Sequence, residues 1–278
     1  MSVVAMTREM GSRGRDVALG LAEQLGLRIV HHEVVEHVAD RMHLRESSVD
    51  RFLEGRAGLF ERWRVNEGDL FLYTSEEILD FAEKGDAIIR GWGAAYLLRE
   101  IPHIPCVRVC APLELRVKEV MERMGIEDAA VARKEVRRND AAHARAMSHQ
   151  YHVDYTDPML YDVVLNTERT SVPDCIRVIR ELLESDTFRE TPRSRAMLAH
   201  RKVEATVRSV LRSNETTNEV TPSFEARYDP DTGVVLLSGI ALNEEFKVEA
   251  ERVVRAVPGV KDVRNEMIVI RPSAYGGP

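Results

Sequence analysis

Thr7-Arg8-Glu9-Met10-Gly11-Ser12-Arg13-Gly14-Arg15-Asp16 sets two glycines and a run of polar residues between apolar segments of different period. On its N-terminal side, residues 2–7 are a short apolar run containing Val3 and Val4, which predicts a buried strand. On its C-terminal side, Val17, Leu21, Ala22 and Leu25 recur at helical spacing, and Gly26 supplies the stop. Strand, glycine turn and helix in that order make the first half of a βαβ unit. Such a turn suits a phosphate: glycines let backbone N–H groups wrap the anion, the helix N-terminus adds a favourable dipole, and a basic side chain neutralises charge. The turn departs from the pattern G-x-x-x-x-G-K-[ST] at three places. Glu9 stands at the first glycine position, Arg15 at the lysine and Asp16 at the Ser/Thr. Taken alone, the stretch is equally an ordinary strand-to-helix turn.

Working outward, further strands are expected at 27–30, 87–90, 106–110 and 162–165. Helices are expected at 33–43, 47–53, 75–84, 112–124, 127–149 and 172–183. Thr74-Ser75-Glu76-Glu77 offers a capping-box start for the third of these. Residues 60–73 are aromatic-rich and carry no clear assignment, and Gly91-Trp92-Gly93 reads as a turn that opens another helix. Strands alternating with helices predict an α/β domain with a parallel sheet covered on both faces.

The length of 278 residues favours two domains at roughly 100–200 residues each. The first is expected over 1–185. Residues 186–195 lack apolar periodicity and read as a linker. From 196 to 272 the pattern changes to a small α+β unit, with a helix at 197–211, strands at 223–228 and 234–239, a helix at 243–257 and a strand at 260–270. Asp231-Thr232-Gly233 ahead of an apolar run signals a hairpin. Residues 273–278 read as a disordered tail.

Several segments of the first domain resemble the cytidylate kinase-like family in order and spacing. The glycine turn resembles that family's S-R-x-x-G-S-G-G-R-[ED] loop. Ile88-Ile89-Arg90-Gly91-Trp92-Gly93-Ala94 resembles its V-I-V-G-R-G-A, and Ala111-Pro112-Leu113-Glu114-Leu115-Arg116 its A-P-L-E-x-R. Asp157-Pro158, Tyr161-Asp162 and Leu165-Asn166-Thr167 resemble D-P-x-x-Y-D-L-V-I-N-T. The resemblance implies a P-loop kinase-like fold and an ATP-dependent nucleoside monophosphate kinase acting on CMP or dCMP. The alternative is a nucleotide-sensing module without turnover, docked to a partner through its second domain.

Carried over position by position, the resemblance implies that Gly11, Ser12, Arg13, Gly14, Arg15 and Asp16 bind the cofactor ATP. Asp16 is either a ligand of Mg2+ or a first-turn carboxylate that stabilises its helix. Arg15 would act in catalysis, with Arg133, Arg137 and Arg138 as lid arginines that clamp the phosphoryl charge. Without the resemblance, that helix is a solvated charged one. Two departures stand out. The arginine of the family's G-R-G is replaced by Trp92, with Arg90 two residues earlier as the substitute for binding the acceptor phosphate, and Trp92 either stacks on a base or packs. The family's D-x-x-R after the lid becomes Asp140 followed by His143, with the arginine at Arg145. Asp140, Arg145, Asp157 and Asp162 complete the expected substrate-binding set. His143, His149 and His152 read as surface histidines rather than metal ligands.

The second domain resembles a BON domain in Val234-Val235-Leu236-Leu237-Ser238-Gly239, Ala250 and Val257-Pro258-Gly259-Val260-Lys261-Asp262-Val263-Arg264-Asn265. That resemblance implies binding of a protein, a small ligand or a membrane surface. Gly239 and Gly259 fit turns where a bulky residue would strain. The net charge of -7 argues against bulk attraction to nucleic acid. The apolar start is cut off by Arg8 and Glu9, short of the roughly 7–15 apolar residues of a secretory leader. No run approaches the roughly 18 apolar residues of a membrane helix, so a cytoplasmic protein is expected. Cys106, Cys110 and Cys175 form no Cys-x-x-Cys pair and read as small buried thiols of a reducing compartment.

Overall fold

A computed structural model describes residues 2–53, 66–91, 93–218 and 225–269. They form two compact units, Met1–Ala196 and Met197–Pro278. The first is built on five parallel strands: β1 (Val3–Arg8), β2 (Arg28–Val30), β3 (Ala87–Arg90), β4 (Cys106–Cys110) and β5 (Val163–Asn166), in the order β2-β3-β1-β4-β5. β1 is central, and Val3 to Thr7 are all buried, which is why it reads as a continuous apolar run rather than an alternation. Val4 and Met6 pack on Val17, Ala18 and Leu21 of α1 (Gly14–Leu25) and on Cys175, Ile176 and Ile179 of the helix that follows β5. From β1 the chain builds one side of the sheet through β2 and β3, then crosses to the other through β4 and β5. A crevice is therefore expected at the carboxyl end of β1, where the direction of winding reverses. Arg8 and the glycine turn stand there.

The remaining helices of this unit are α2 (His32–Met42), α3 (Glu46–Leu53), α4 (Glu67–Lys84), α5 (Ala94–Leu98), α6 (Leu113–Met124), α7 (Ala129–Tyr151) and α8 (Val172–Glu184). α4 corrects the sequence reading. It starts at Glu67, with the Asn66 side chain accepting from the Asp69 N–H at 3.3 Å, and not at the expected Thr74 cap. The Thr74 hydroxyl instead donates to the Leu70 carbonyl at 2.7 Å inside the helix. Leu70, Phe71 and Tyr73 are buried on the same helix, so their apolar character reports one packed face. Residues 60–65 of that aromatic stretch, and Trp92, lie outside the described residues.

The expected linker 186–195 is also corrected. Asp186–Phe188 is a 3-10 turn, and α9 (Pro192–Ser213) begins inside the stretch. The Ser194 Oγ accepts from the Thr191 N–H at 3.0 Å, and the Thr191 Oγ1 accepts from the Ser194 N–H at 3.1 Å. Pro192 occupies the first helical position, where its missing N–H costs nothing. These polar residues are a cap, and caps lack apolar periodicity just as linkers do.

The second unit packs β6 (Glu225–Asp229), β7 (Val234–Ser238) and β9 (Asp262–Asn265) in one sheet, and β8 (Ile240–Ala241) with β10 (Ile268–Val269) in a second pair. Val235, Leu237 and Val263 bury against Val207 and Leu211 of α9 and against Phe246, Ala250 and Val254 of α10 (Glu244–Arg255). The β6–β7 hairpin forms as expected, with Gly233 at φ 74°. Gly239 and Gly259 have φ of 105° and 94°, where only glycine is unstrained. The single strand expected at 260–270 is two strands. Asn265 breaks it, its Oδ1 accepting from the Met267 N–H at 3.3 Å and its amide donating to the Lys247 carbonyl at 2.8 Å. Among the described residues no helix is long and apolar enough to cross a membrane.

Candidate active site

The glycine turn is held from below. The Thr167 hydroxyl donates to the Ser12 carbonyl at 2.9 Å, and the Ser12 N–H to the Glu9 carbonyl at 3.1 Å. Gly11 has φ 78°, and a Cβ there would overlap the carbonyl oxygen of Arg116. Gly14 is equally confined, since its Cβ would fall 2.7 Å from the Cβ of Arg8. Arg13 adopts φ 60°, a left-handed conformation that suits the glycine of the family's loop better than an arginine. Gly14 and Arg15 open α1, so their N–H groups have no intrahelical acceptor, the feature that makes a helix start an anion site.

Beyond the turn lies a pocket of about 250 Å³. Gly11 and Arg15 line it from the turn, Arg8 and Glu9 from the end of β1, Arg90 and Gly91 from the end of β3, Glu119 and Arg123 from α6, and Glu135, Asn139, Asp140 and His143 from α7. His31 and Tyr155 also line it.

Its charges divide into two groups. The carboxylates are occupied. Glu9 accepts from Arg108 at 2.6 Å and from the Ala111 N–H at 3.2 Å. Asp140 accepts two parallel bonds from Arg116, at 2.9 and 2.8 Å. Arg123 donates to both oxygens of Asp16, at 3.1 and 3.0 Å, and to Glu119 at 2.9 Å. Arg8, Arg15 and Arg90, by contrast, have no hydrogen-bonded or ion-paired partner among the described residues. Burial, with Arg8 and Arg15 nearby, pushes Arg90 down to about 10. Burial lowers Arg8 also, helped by Arg123 and Arg15. Three like charges crowd one pocket, a costly arrangement that a polyanion would relieve.

The expected lid arginines stand elsewhere. Arg133 is bonded to Glu114, at 2.6 Å for one of its two contacts, and Arg137 and Arg138 are exposed outside the pocket wall. The face of α7 turned to the pocket carries Glu135, Asn139 and His143 at i, i+4 and i+8. Arg133 and Arg137, at i and i+4, and Arg138 lie on other faces. His143, expected at the surface, is in the wall, edge-on to Tyr155 with ring centroids 4.4 Å apart. Burial takes it down to about 4. It fills the position of the family's D-x-x-R arginine, while Arg145 is exposed and outside the wall. Asp157 caps a 3-10 turn by accepting from the Met159 N–H at 2.9 Å. Asp162 accepts from the Cys106 N–H at 2.7 Å, at the amino end of β4, away from the carboxyl edge that carries the turn. Ser12 is fully buried beneath the turn.

Arg8, Glu9, Arg116, Glu119 and Arg123 escaped the sequence reading. A signal existed for the last three. Arg116, the arginine that ends the A-P-L-E-x-R segment, is followed by Glu119 and Arg123 at i+3 and i+7, a polar stripe on one face of α6.

A central parallel sheet, a glycine turn at the carboxyl end of its middle strand and a basic pocket beyond define a P-loop kinase-like phosphotransferase fold. Residues 3–169 match the cytidylate kinase-like family, and the chain belongs to it. Residues 200–271 match the BON domain. The chain is similar to the cytidylate kinase of Methanopyrus kandleri, 28% identical over 59% of this chain and 88% of that protein. It is also similar to that of Natronomonas pharaonis, 29% identical over 64% of this chain and 87% of that protein. Among solved structures, an uncharacterized protein from Eubacterium ventriosum shares the fold, with a TM-score of 0.53 at 20% identity over 66% of this chain and 99% of that one.

Proposed function

We propose that the first unit is an ATP-dependent nucleoside monophosphate kinase, working in the cytoplasm, with CMP or dCMP as its preferred acceptor. The observation that carries this reading is the trio Arg8, Arg15 and Arg90, unpaired among the described residues and shared by one pocket with Gly11. A phosphotransferase needs two anion sites side by side. Arg15 and the N–H groups of Gly11 and Gly14 hold the donor phosphates, and Arg90 takes the acceptor phosphate in place of the family's G-R-G arginine. The choice of CMP rests on the names of the relatives.

Mg2+ takes one or two carboxylates together with phosphate oxygens. Asp16 would take that role on releasing Arg123, which bonds both of its oxygens in this structure. When bound, the ion would shield charge on the donor phosphates. A second reading, a sensing module without turnover, is favoured by the lid arginines: Arg133, Arg137 and Arg138 do not face the pocket.

A coupled assay of ADP release with ATP and a panel of nucleoside monophosphates tests both. The highest kcat/KM is expected with CMP or dCMP. Turnover with AMP and none with CMP or dCMP rejects the acceptor, and ATP binding without turnover on any acceptor favours sensing.

A further inference from the structure

Arg8 ends the central strand. Val4 and Met6 bury on the α1 face of that strand, and the alternation puts Arg8 on the same face, one step past the core. Its stem lies under the glycine turn, as the tight approach of Gly14 to its Cβ requires. Its neighbours in the pocket come from both ends. Met6 pairs with Arg90 across β1 and β3, so Arg90 ends the adjacent strand, and Arg15 starts the helix after the turn. Arg8 is only partly exposed, and no carboxylate is bonded to it among the described residues. Asp16, the acidic group with most influence on it, is itself held by Arg123.

A cation set under a turn, sharing its pocket with Arg15 and Arg90 and with no bonded partner among the described residues, serves no packing purpose that an apolar side chain would not serve better. It makes sense as one wall of a site for negative charge. With donor phosphates at the Arg15 end and the acceptor phosphate at the Arg90 end, the charge that develops during transfer falls between them.

We propose, resting on the phosphoryl-transfer reading, that Arg8 is a catalytic residue that contacts the transferred phosphoryl group. In that step an oxygen of the acceptor phosphate forms a bond to the γ-phosphorus of ATP. The bond from that phosphorus to the β–γ bridging oxygen breaks, and its electron pair leaves on the β-phosphate of ADP. No proton need move. Arg8 donates N–H bonds to the equatorial oxygens, which carry most charge midway. It therefore acts on kcat more than on the binding of either substrate.

The test compares the full-length protein with R8M and R8K, folding being checked by thermal melting. ATP and CMP affinities are measured separately by calorimetry, alongside kcat and the affinity for adenosine and cytidine joined through five phosphates. R8M is expected to lower kcat by about 100-fold or more. Its affinities for ATP alone and CMP alone stay within about threefold, while the joined compound loses at least about tenfold. R8K, which retains charge but not the planar fork, falls between and keeps a result in hand if R8M is unfolded. A kcat within about threefold of wild type in the folded variants, or a loss confined to KM, overturns the assignment. If the wild type transfers phosphate to no nucleoside monophosphate, the functional reading fails first. Inorganic tripolyphosphate then decides Arg8 separately: affinity unchanged between wild type and the variants removes it from the anion site altogether.

Discussion

Gly11 and Arg13 occupy neighbouring left-handed positions for opposite reasons. Gly11 has no room for a Cβ, because α6 presents the Arg116 carbonyl to it. Gly11→Ala is expected to lose about 1–3 kcal/mol in urea unfolding and to weaken ATP binding, as the turn must open to fit the methyl group. Arg13 is exposed, and only its φ of 60° is unfavourable. Arg13→Gly should leave stability unchanged or raise it by up to about 1 kcal/mol, while Arg13→Val, β-branched, should lower it by about 1–2 kcal/mol. Equal stabilities for the glycine and valine variants would mean that the loop does not hold this conformation in solution.

Two histidines give the protein an acid limit. His143 is taken down to about 4 by burial, against the restoring pull of Asp140 and with Arg108 and Arg8 adding to the drop. His103 is buried at 3% exposure, neither ring nitrogen has a hydrogen-bond partner among the described residues, and burial lowers it too. For a base whose folded pKa lies below its unfolded value, the unfolded chain takes up the proton first. Stability is therefore full above about 6.5 and falls as pH drops from there towards about 4, the window set by His143. Urea midpoints measured between pH 8 and 4 should show this decline, and His103→Leu should make it shallower. A midpoint that stays level across the window would rule out neutral buried imidazoles.

At the scale of elements, α6 and α7 are joined to each other and to the turn through one guanidinium. Arg116 is 8% exposed, gives two bonds to Asp140 on α7, and approaches the Glu9 carboxylate at 3.5 Å. Asp140, expected to bind substrate, is thereby a brace that fixes the wall carrying Glu135, Asn139 and His143. Asp140→Ala strands a buried cation, and a loss of about 3 kcal/mol is expected in urea unfolding. The same brace argues that the α7 wall shifts when it is removed, so the affinity for ATP should fall as well. A variant of wild-type stability would show that Glu9 alone satisfies Arg116.

For the whole molecule, the contact boundary between Ala196 and Met197 falls inside α9, and the second core draws on Val203, Val207 and Leu211 from that helix. We propose that each unit folds alone and that the phosphate chemistry stays with the first. A fragment of residues 1–196 should bind ATP within about threefold of the full chain, and a fragment of residues 192–278, which keeps the Pro192 start of the helix, should unfold cooperatively by itself. A first fragment that is folded but no longer binds ATP would place part of the site in the second unit.

Local pattern was enough for much of this. The strand–glycine–helix order around Gly11, the alternation of strands with helices, the β6–β7 hairpin and the turn glycines Gly239 and Gly259 depend on neighbours a few residues apart, and propensity and periodicity are properties of that range. The start of α4 was obscured because Thr74-Ser75-Glu76-Glu77 imitates a cap inside the helix, and that of α9 because a cap and a linker share the same polar residues; only the hydrogen bonds made by Asn66, Thr74, Thr191 and Ser194 tell them apart. The site itself was decided by the tertiary structure. A helix such as α7 carries charge all round, and its sequence does not say which stripe faces the turn. Packing against α6 turned Asn139 and His143 inward and left Arg137 and Arg138 in solvent. Arg15 and Arg90 were legible through the motifs that carry them, whereas Arg8, at the end of an apolar run, looked like any arginine that closes a strand. That the three share a pocket, with no carboxylate bonded to them among the described residues, follows from the register of β1 against β3 and from the turn that sets Arg15 beside them.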